Sequence, residues 1–163
     1  MKILIVFFSY TGNTRKVALD IANNISDDHV VEIEEIRSHK EHKYMFWLLS
    51  SFIPGRCSKI HDIHKDLRNY DIVCLGLPKW TFSCPPFNQY LKKVVGLKSP
   101  RLGVFITYGG FDVERYYNSL LRKIENKGGN IRSKLILRRS EVDIGNYQEK
   151  IKKFYRSLLD DSD

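Results

Sequence analysis

Short apolar runs alternate with segments of helical periodicity along the chain, and this alternation restricts the fold more than any other feature. Three of the runs are continuously apolar, which is typical of strands that are covered on both faces. The predicted strands are KILIVFF, HVVEIEEI, DIVCLGL, LGVFITY and IRSKLILRR. Five strands separated by helical segments predict βαβ units, right-handed crossovers and a mostly parallel α/β sheet with helices on both faces.

Four segments between and after these strands have the periodicity or the end signals of helices. They are residues 17–25, PPFNQYLKKVV, a helix capped by Asp112 that stops at Gly128 and Gly129, and a last helix from about Asn146. The two prolines suit the first helical turn, whose N–H groups have no partner within the helix. A glycine pair is a typical helix end because glycine adopts the left-handed conformation.

The length and composition fit one domain, which we predict to span residues 1–163. The chain is 42% hydrophobic, which is enough for a core, and no run reaches the roughly 20 apolar residues of a membrane-spanning helix. Three cysteines have neither the count nor the spacing of a disulfide framework, which favours a cytoplasmic location. The formal net charge of +8 indicates a basic surface; nucleic acid would be one explanation, but no nucleic-acid-reading motif accompanies the charge.

The loop after the first strand has the residues of an anion site. Ligands in open parallel sheets bind beyond the carboxyl ends of the strands, and this loop, SYTGNT, leads into a helix N-terminus, whose free N–H groups attract anions. The donors are Ser9, Thr11, Gly12, Asn13 and Thr14. The loop lacks the lysine of a triphosphate loop and the glycine pattern of a dinucleotide site, so we predict that it binds one phosphate monoester. The alternative is that these side chains only cap the helix.

Two further loops at the same predicted edge carry aromatic residues. In GLPKWTFSCPP, Gly76 and Pro78 are predicted to set a turn, and Trp80 and Phe82 offer a wall for a flat ligand. In TYGGF, the glycine pair lets the backbone approach a ring edge between Tyr108 and Phe111. The three loops together predict a site for a flat heterocycle with a phosphate tail. The alternative for Trp80 is that it packs beneath the following helix.

These loops resemble those of flavodoxin-type FMN proteins, over nearly the whole chain. SYTGNT is similar to the phosphate loop of that family, YDIVCLGLPKW to its segment around the flavin tryptophan, and FITYGG to its third flavin loop. The resemblance implies a doubly wound five-stranded parallel sheet of order 2-1-3-4-5 that binds FMN. By position, the implied cofactor-binding residues are Ser9, Thr11, Gly12, Asn13 and Thr14 for the phosphate, and Pro78, Lys79, Trp80, Thr81, Thr107, Tyr108, Gly109, Gly110 and Phe111 for the isoalloxazine.

The resemblance implies redox chemistry supplied by the flavin, so no side chain is predicted to be catalytic. We favour an electron carrier that exchanges electrons with redox partner proteins. Because the chain is basic, these partners are expected to have acidic surfaces. The alternative is an NAD(P)H- or quinone-linked FMN oxidoreductase. A nucleic-acid module without flavin is a third. Flavodoxins typically surround their flavin with carboxylates, whereas the loop here has Lys79, with Asp112 as the nearby carboxylate. We therefore expect a higher potential for the reduced flavin than in acidic relatives.

An insert at about residues 37–60 departs from a minimal flavodoxin. Basic RSHKEHK and PGRCSK flank the apolar YMFWLLSSFI. This segment is interpreted as a helix that packs on the sheet or shields the flavin, as a self-association or partner surface, or as an interfacial helix (residues 44–53) on an anionic membrane. Nearby, His61 and His64 are interpreted as surface histidines rather than metal ligands, and Cys84 as a small buried residue.

Overall fold

A five-stranded parallel sheet forms the centre of the molecule in the computed structural model, which describes residues 1–25, 29–40 and 42–160. The strands are Lys2–Phe7 (β1), Val30–Glu35 (β2), Ile72–Pro78 (β3), Arg101–Tyr108 (β4) and Asn130–Arg138 (β5). Their order is β2-β1-β3-β4-β5, and every neighbouring pair is parallel. All five predicted strands and the predicted order 2-1-3-4-5 are confirmed.

Six helices connect the strands or follow them within the described ranges. They are Asn13–Ile25 (α1), Tyr44–Ser51 (α2), Pro85–Lys93 (α3), Val113–Glu125 (α4), Arg139–Ile144 (α5) and Gln148–Leu159 (α6). The four predicted helices correspond to α1, α3, α4 and α6, whereas the short α5 was not predicted. Asp112 precedes α4 as expected, but it lies in the left-handed region (φ 56°) and its carboxylate makes no capping hydrogen bond, so its predicted capping role is wrong.

The sheet separates two apolar cores, because successive side chains of a strand point to opposite faces. In β1, Leu4 and Val6 join the core beneath α3 and α4, while Ile3 and Ile5 join the core beneath α1 and α6. All four side chains are fully buried. Because helices cover both faces of the sheet, a ligand is expected to bind at an edge or at the loops. The three predicted loops lie at the carboxyl edge.

The insert leaves and rejoins the body of the fold at one point. Ser38 and Ile60 form an antiparallel bridge, and the His39 and His61 rings beside it stack with centroids 4.3 Å apart. Between these ends lies α2, while Glu41 of the predicted basic stretch lies outside the described residues. In the described part of the chain, no helix has both the length and the apolar composition needed to cross a bilayer.

Candidate functional site

The three predicted loops meet at the carboxyl edge because β1, β3 and β4 are neighbours in the sheet. The Phe8 N–H donates to the Gly76 carbonyl at 3.0 Å, and the Lys79 N–H donates to the Thr107 carbonyl at 2.8 Å. These hydrogen bonds extend the sheet pairing into the loops. The structure therefore brings the predicted phosphate loop close to both predicted flavin loops.

The first loop presents unpaired hydrogen-bond donors at the start of α1. Gly12 has φ +92°, a conformation that favours glycine, and a side chain built there would meet nothing within 4 Å. Among the described residues, no acceptor is present for the main-chain N–H groups of Thr11–Thr14. By contrast, the Arg15 N–H donates a hydrogen bond to Ser9 Oγ at 3.2 Å. Free N–H groups at a helix N-terminus with open space before them suit an anion.

Thr14 is a predicted phosphate-binding residue, and its side chain also packs inside the protein. Its side chain is buried, and its Oγ1 lies 2.8 Å from Oγ1 of Thr107 in β4. Thr14, predicted to bind the phosphate, is therefore hydrogen-bonded to Thr107, predicted to bind the isoalloxazine. The hydroxyl of Thr14 links α1 to the end of β4, whereas Thr11 is exposed and Asn13 is half-buried.

The paired threonines give a prediction on stability. We expect Thr14→Val and Thr107→Val each to lower the free energy of unfolding by about 1–3 kcal/mol, because each leaves the other hydroxyl buried without its partner. The double variant should lose less than the sum of the two single losses, because no orphaned hydroxyl remains. Urea unfolding of all four proteins measures this coupling, and strictly additive losses would show that the hydroxyls do not depend on each other.

Trp80 of the second loop lies in an aromatic cluster formed with the insert. Its ring stacks on that of Trp47 in α2, with centroids 5.8 Å apart and planes at 21°. Phe8 and Tyr10 contact it edge-on at 5.5 and 6.3 Å. Trp80 is nevertheless only half-buried, so part of its surface stays accessible. Trp80 thus packs against Trp47 of α2, a contact that neither interpretation of this residue included.

The remainder of the second loop is fastened to the end of α2. The Thr81 N–H donates to Ser51 Oγ at 3.2 Å, and Ser51 Oγ lies 3.0 Å from Thr81 Oγ1. The Phe82 N–H donates to the Ser51 carbonyl at 2.9 Å. The insert thus forms a helix, α2, whose Trp47 packs on Phe8 after β1 and on Trp80 after β3. That this helix shields a flavin stays a prediction. Gly76 and Pro78, predicted as turn residues, are instead part of β3.

The third loop projects from the protein. Tyr108 is half-buried, Gly109 and Gly110 are exposed, and the side chain of Phe111 is 91% exposed. The Lys79 ammonium donates to the Phe111 carbonyl and so joins the second loop to the third. In the described chain Trp80 and Tyr108 make no ring contact. The aromatic residues of the two loops are therefore not assembled into one wall.

A cavity of about 740 Å³ lies beside the first loop, on the side of β2 and the insert. Its lining residues are Phe8, Ser9, Tyr10, Arg15, Glu35, Ile36, Arg37, Ser38, His39, Lys40, His42, Trp47 and His61. Arg15 and Glu35 form an ion pair in this lining, with a nitrogen-to-oxygen distance of 2.6 Å. Among these residues, only Ser9 is a site residue predicted from the sequence. The basic character of RSHKEHK was the available signal, but nothing in the sequence places that stretch next to the first loop.

Cys84 and the histidine pair behave as ordinary structural residues. Burial raises the pKa of the Cys84 thiol to about 12, which keeps it protonated at neutral pH. His64 pairs with Glu34, whereas His61 stacks on His39, so the two histidines face different partners. No group of three or more His, Cys, Asp or Glu in the described ranges could hold a metal ion.

Solved structures of other proteins share this architecture. No protein-family model matches the chain. An uncharacterized protein of Archaeoglobus fulgidus is 43% identical over 110 residues, which is 68% of each chain. A candidate flavoprotein of Bacteroides uniformis superposes with a TM-score of 0.74 at 18% identity, over 95% of this chain and 97% of that one. A flavoprotein of Lactobacillus acidophilus, solved in complex with FMN, gives a TM-score of 0.61 at 22% identity, over 88% and 97%.

Doubly wound parallel sheets have two common strand orders, and the observed order β2-β1-β3-β4-β5 is the flavodoxin-like one. The chain therefore has the flavodoxin-like fold. In this flavodoxin-like protein, the loops after β1, β3 and β4 lie at the point where the strand order reverses, which is where such sheets bind their ligands. The insert, with its tryptophan stacked on Trp80, is added at the same edge.

Proposed function

We propose that this chain binds FMN and carries electrons between redox partner proteins. The proposal rests on the start of α1, where Gly12 has a positive φ with open space before it and the N–H groups of Thr11–Thr14 have no acceptor among the described residues. Phosphate dianions bind well to such unpaired donors at a helix N-terminus. The FMN complex of the Lactobacillus acidophilus flavoprotein, which has the same fold, supports a flavin mononucleotide as the ligand.

The donors present suit a monoester phosphate better than a triphosphate. Hydroxyls and N–H groups predominate in the first loop, and the cation next to it, Arg15, is paired with Glu35. Ser9, Thr11, Gly12, Asn13 and Thr14 would hold the phosphate of FMN. Around the ring, Pro78, Lys79, Trp80 and Thr81 would contribute from the second loop, and Thr107, Tyr108, Gly109, Gly110 and Phe111 from the third.

Bound flavin would supply the electron-accepting chemistry, and the protein would fix its place and tune its electrostatics. Several hydrogen bonds preorganise that environment. Thr107 fastens β4 to α1 through Thr14, and Lys79 fastens the second loop to the third through the Phe111 carbonyl. The exposed third loop leaves that side of the site open to a protein partner. Acidic partners suit a chain of net charge +8, because opposite charges raise the rate of encounter.

Lys79 is expected to raise the reduction potential of bound FMN. Its ammonium is held near the third loop by the Phe111 carbonyl, and a cation there favours the more negative reduced flavin. We expect Lys79→Glu to lower the midpoint potential, with Lys79→Met intermediate, as measured by redox titration of the holoprotein. An unchanged potential in Lys79→Glu would show that this charge does not act on the ring.

The 740 Å³ cavity favours a second candidate function, an NAD(P)H- or quinone-linked FMN oxidoreductase. A volume of this size is in the range of small-molecule sites, and Arg37 and Lys40 in its lining suit the phosphates of NAD(P)H. Steady-state oxidation of NAD(P)H with a soluble quinone separates the two functions. A carrier should show almost no turnover with either nucleotide, whereas an oxidoreductase should turn over and should lose rate in Arg37→Ala.

Titration of the apoprotein with FMN tests the binding part of the proposal. We expect quenching of flavin fluorescence that saturates at one FMN per chain, and much weaker quenching with riboflavin, which lacks the phosphate. Equal affinity for FMN and riboflavin would contradict a phosphate site at the start of α1.

A further inference from the structure

We propose that α2 and the residues that flank it form a docking surface for anionic phospholipid membranes. This inference does not rest on flavin binding, because it concerns the outer face of the insert.

The outer face of α2 is apolar and exposed. Met45 and Leu49 lie four residues apart on this face and are 60% and 62% exposed. Neighbouring exposed apolar side chains are Tyr44, Phe46, Phe52, Ile53 and Phe82. Phe52 and Phe82 touch, with ring centroids 6.1 Å apart. We call these seven residues the apolar patch; a cluster of large apolar side chains facing water indicates that something covers it.

The patch is firmly held in place. Trp47 on the inner face of α2 is buried against Phe8 and Trp80. The Ser83 hydroxyl donates to the Ile53 carbonyl at 3.0 Å, which ties the segment just after α2 to the loop after β3. The outer side chains are therefore presented from a packed helix. The eight residues of α2 extend about 12 Å, far short of a bilayer, so the helix would lie flat in the membrane interface.

Cations flank the patch along the chain. Residues 37–60 contain five basic residues against Glu41, namely Arg37, Lys40, Lys43, Arg56 and Lys59. Lys40, Lys43, Arg56 and Lys59 are exposed and form no ion pair with any residue that the structure describes. Lysines and arginines beside an apolar face are attracted to anionic headgroups while the apolar side chains enter the acyl boundary.

The charge distinguishes a lipid surface from a second copy of this chain. Two copies meeting through the patch would bring two sets of unpaired cations together, which opposes association. An anionic lipid surface has the complementary charge. Tyrosine is also typical of the membrane interface and phenylalanine of the apolar face of interfacial helices. Four of the seven patch residues are of these two types, namely Tyr44, Phe46, Phe52 and Phe82.

Vesicle flotation of the full chain tests the proposal. We expect the protein to float with vesicles of equimolar phosphatidylglycerol and phosphatidylcholine, and to stay behind with pure phosphatidylcholine. Leu49→Gln should weaken the partition about tenfold, because it removes a side chain that enters the interface. Leu19→Gln is the matched control, since Leu19 is an exposed leucine (44%) of α1 on the other side of the sheet.

Charge reversal provides the second pair of variants. Lys43→Glu, at the N-terminal end of α2, should weaken the partition about tenfold, whereas Lys153→Glu on α6 should change it little. Both lysines are exposed, so neither change disturbs the core, and circular dichroism checks the fold. Equal losses in Lys43→Glu and Lys153→Glu would show a nonspecific attraction of the whole chain and would overturn the proposal.

Cys57 provides an independent readout. It is exposed, whereas Cys74 and Cys84 are buried and burial raises the pKa of each thiol to about 12, so a thiol-reactive fluorophore should label Cys57 selectively. We expect its emission to shift to the blue with the anionic vesicles only. No shift and no flotation would overturn the proposal. So would a dimer in sedimentation equilibrium that Leu49→Gln dissociates, since the patch would then be a self-association surface.

Discussion

Thr11→Asp is expected to weaken FMN binding by at least a hundredfold. Thr11 is exposed beside Gly12, next to the unpaired N–H groups at the start of α1. A carboxylate there would occupy the donors itself and would repel the phosphate dianion, at a cost of about 3 kcal/mol or more. The fold should persist, because an acidic residue near a helix N-terminus is favourable. Fluorescence titration with FMN measures the change in Kd.

Two controls separate charge from shape in this experiment. Thr11→Asn has nearly the same size as the aspartate and no charge, so it should retain most of the affinity. Thr14→Asp should also expel the cofactor, but it should destabilise the protein as well, because Thr14 is buried against Thr107. A Thr11→Asp protein that binds FMN as tightly as Thr11→Asn would show that the phosphate lies elsewhere.

Gly76→Ala is expected to lower the free energy of unfolding by about 3 kcal/mol, the largest stability effect that we predict for a single methyl group. A Cβ at Gly76 would lie 2.0 Å from Cζ and 2.3 Å from Cε2 of Phe105, far inside contact distance. Phe105 is fully buried in β4 beside β3, so its ring has little room to move away. Thermal or urea unfolding measures the loss.

Gly110→Ala is the matched control, because a Cβ there would meet nothing within 4 Å. It should leave stability nearly unchanged. Adding Phe105→Leu to Gly76→Ala should recover part of the loss if the clash with the ring is its cause. Equal stability of Gly76→Ala and Gly110→Ala would contradict the packing of Phe105 over the strand.

The sheet was predictable from the sequence because its central strands are covered on both faces. KILIVFF, DIVCLGL and LGVFITY are continuously apolar, and the helices between them fix parallel pairing. Periodicity does not determine which strands are neighbours. The order came from the resemblance of SYTGNT and the two later loops to flavodoxin-type proteins, and the structure confirms it. The parallel edge then brought these three loops together as expected.

Contacts between residues distant in the sequence could not be predicted. Gly76 was interpreted as a turn residue, but the ring of Phe105 requires it within β3. Trp80 has an aromatic partner from the insert, which no spacing reveals. The pairing of Thr14 with Thr107 joins residues 93 positions apart. Each of these depends on how elements pack, whereas local signals report only which elements form.

The visible absorbance spectrum of the protein as purified tests the central claim, FMN binding at the carboxyl edge, most directly. We predict a yellow protein with the two flavin absorption bands, whose chromophore is released by acid and identified as FMN rather than FAD. A Thr11→Asp protein prepared in parallel should be colourless. A colourless wild-type protein that also fails to take up added FMN would contradict the account.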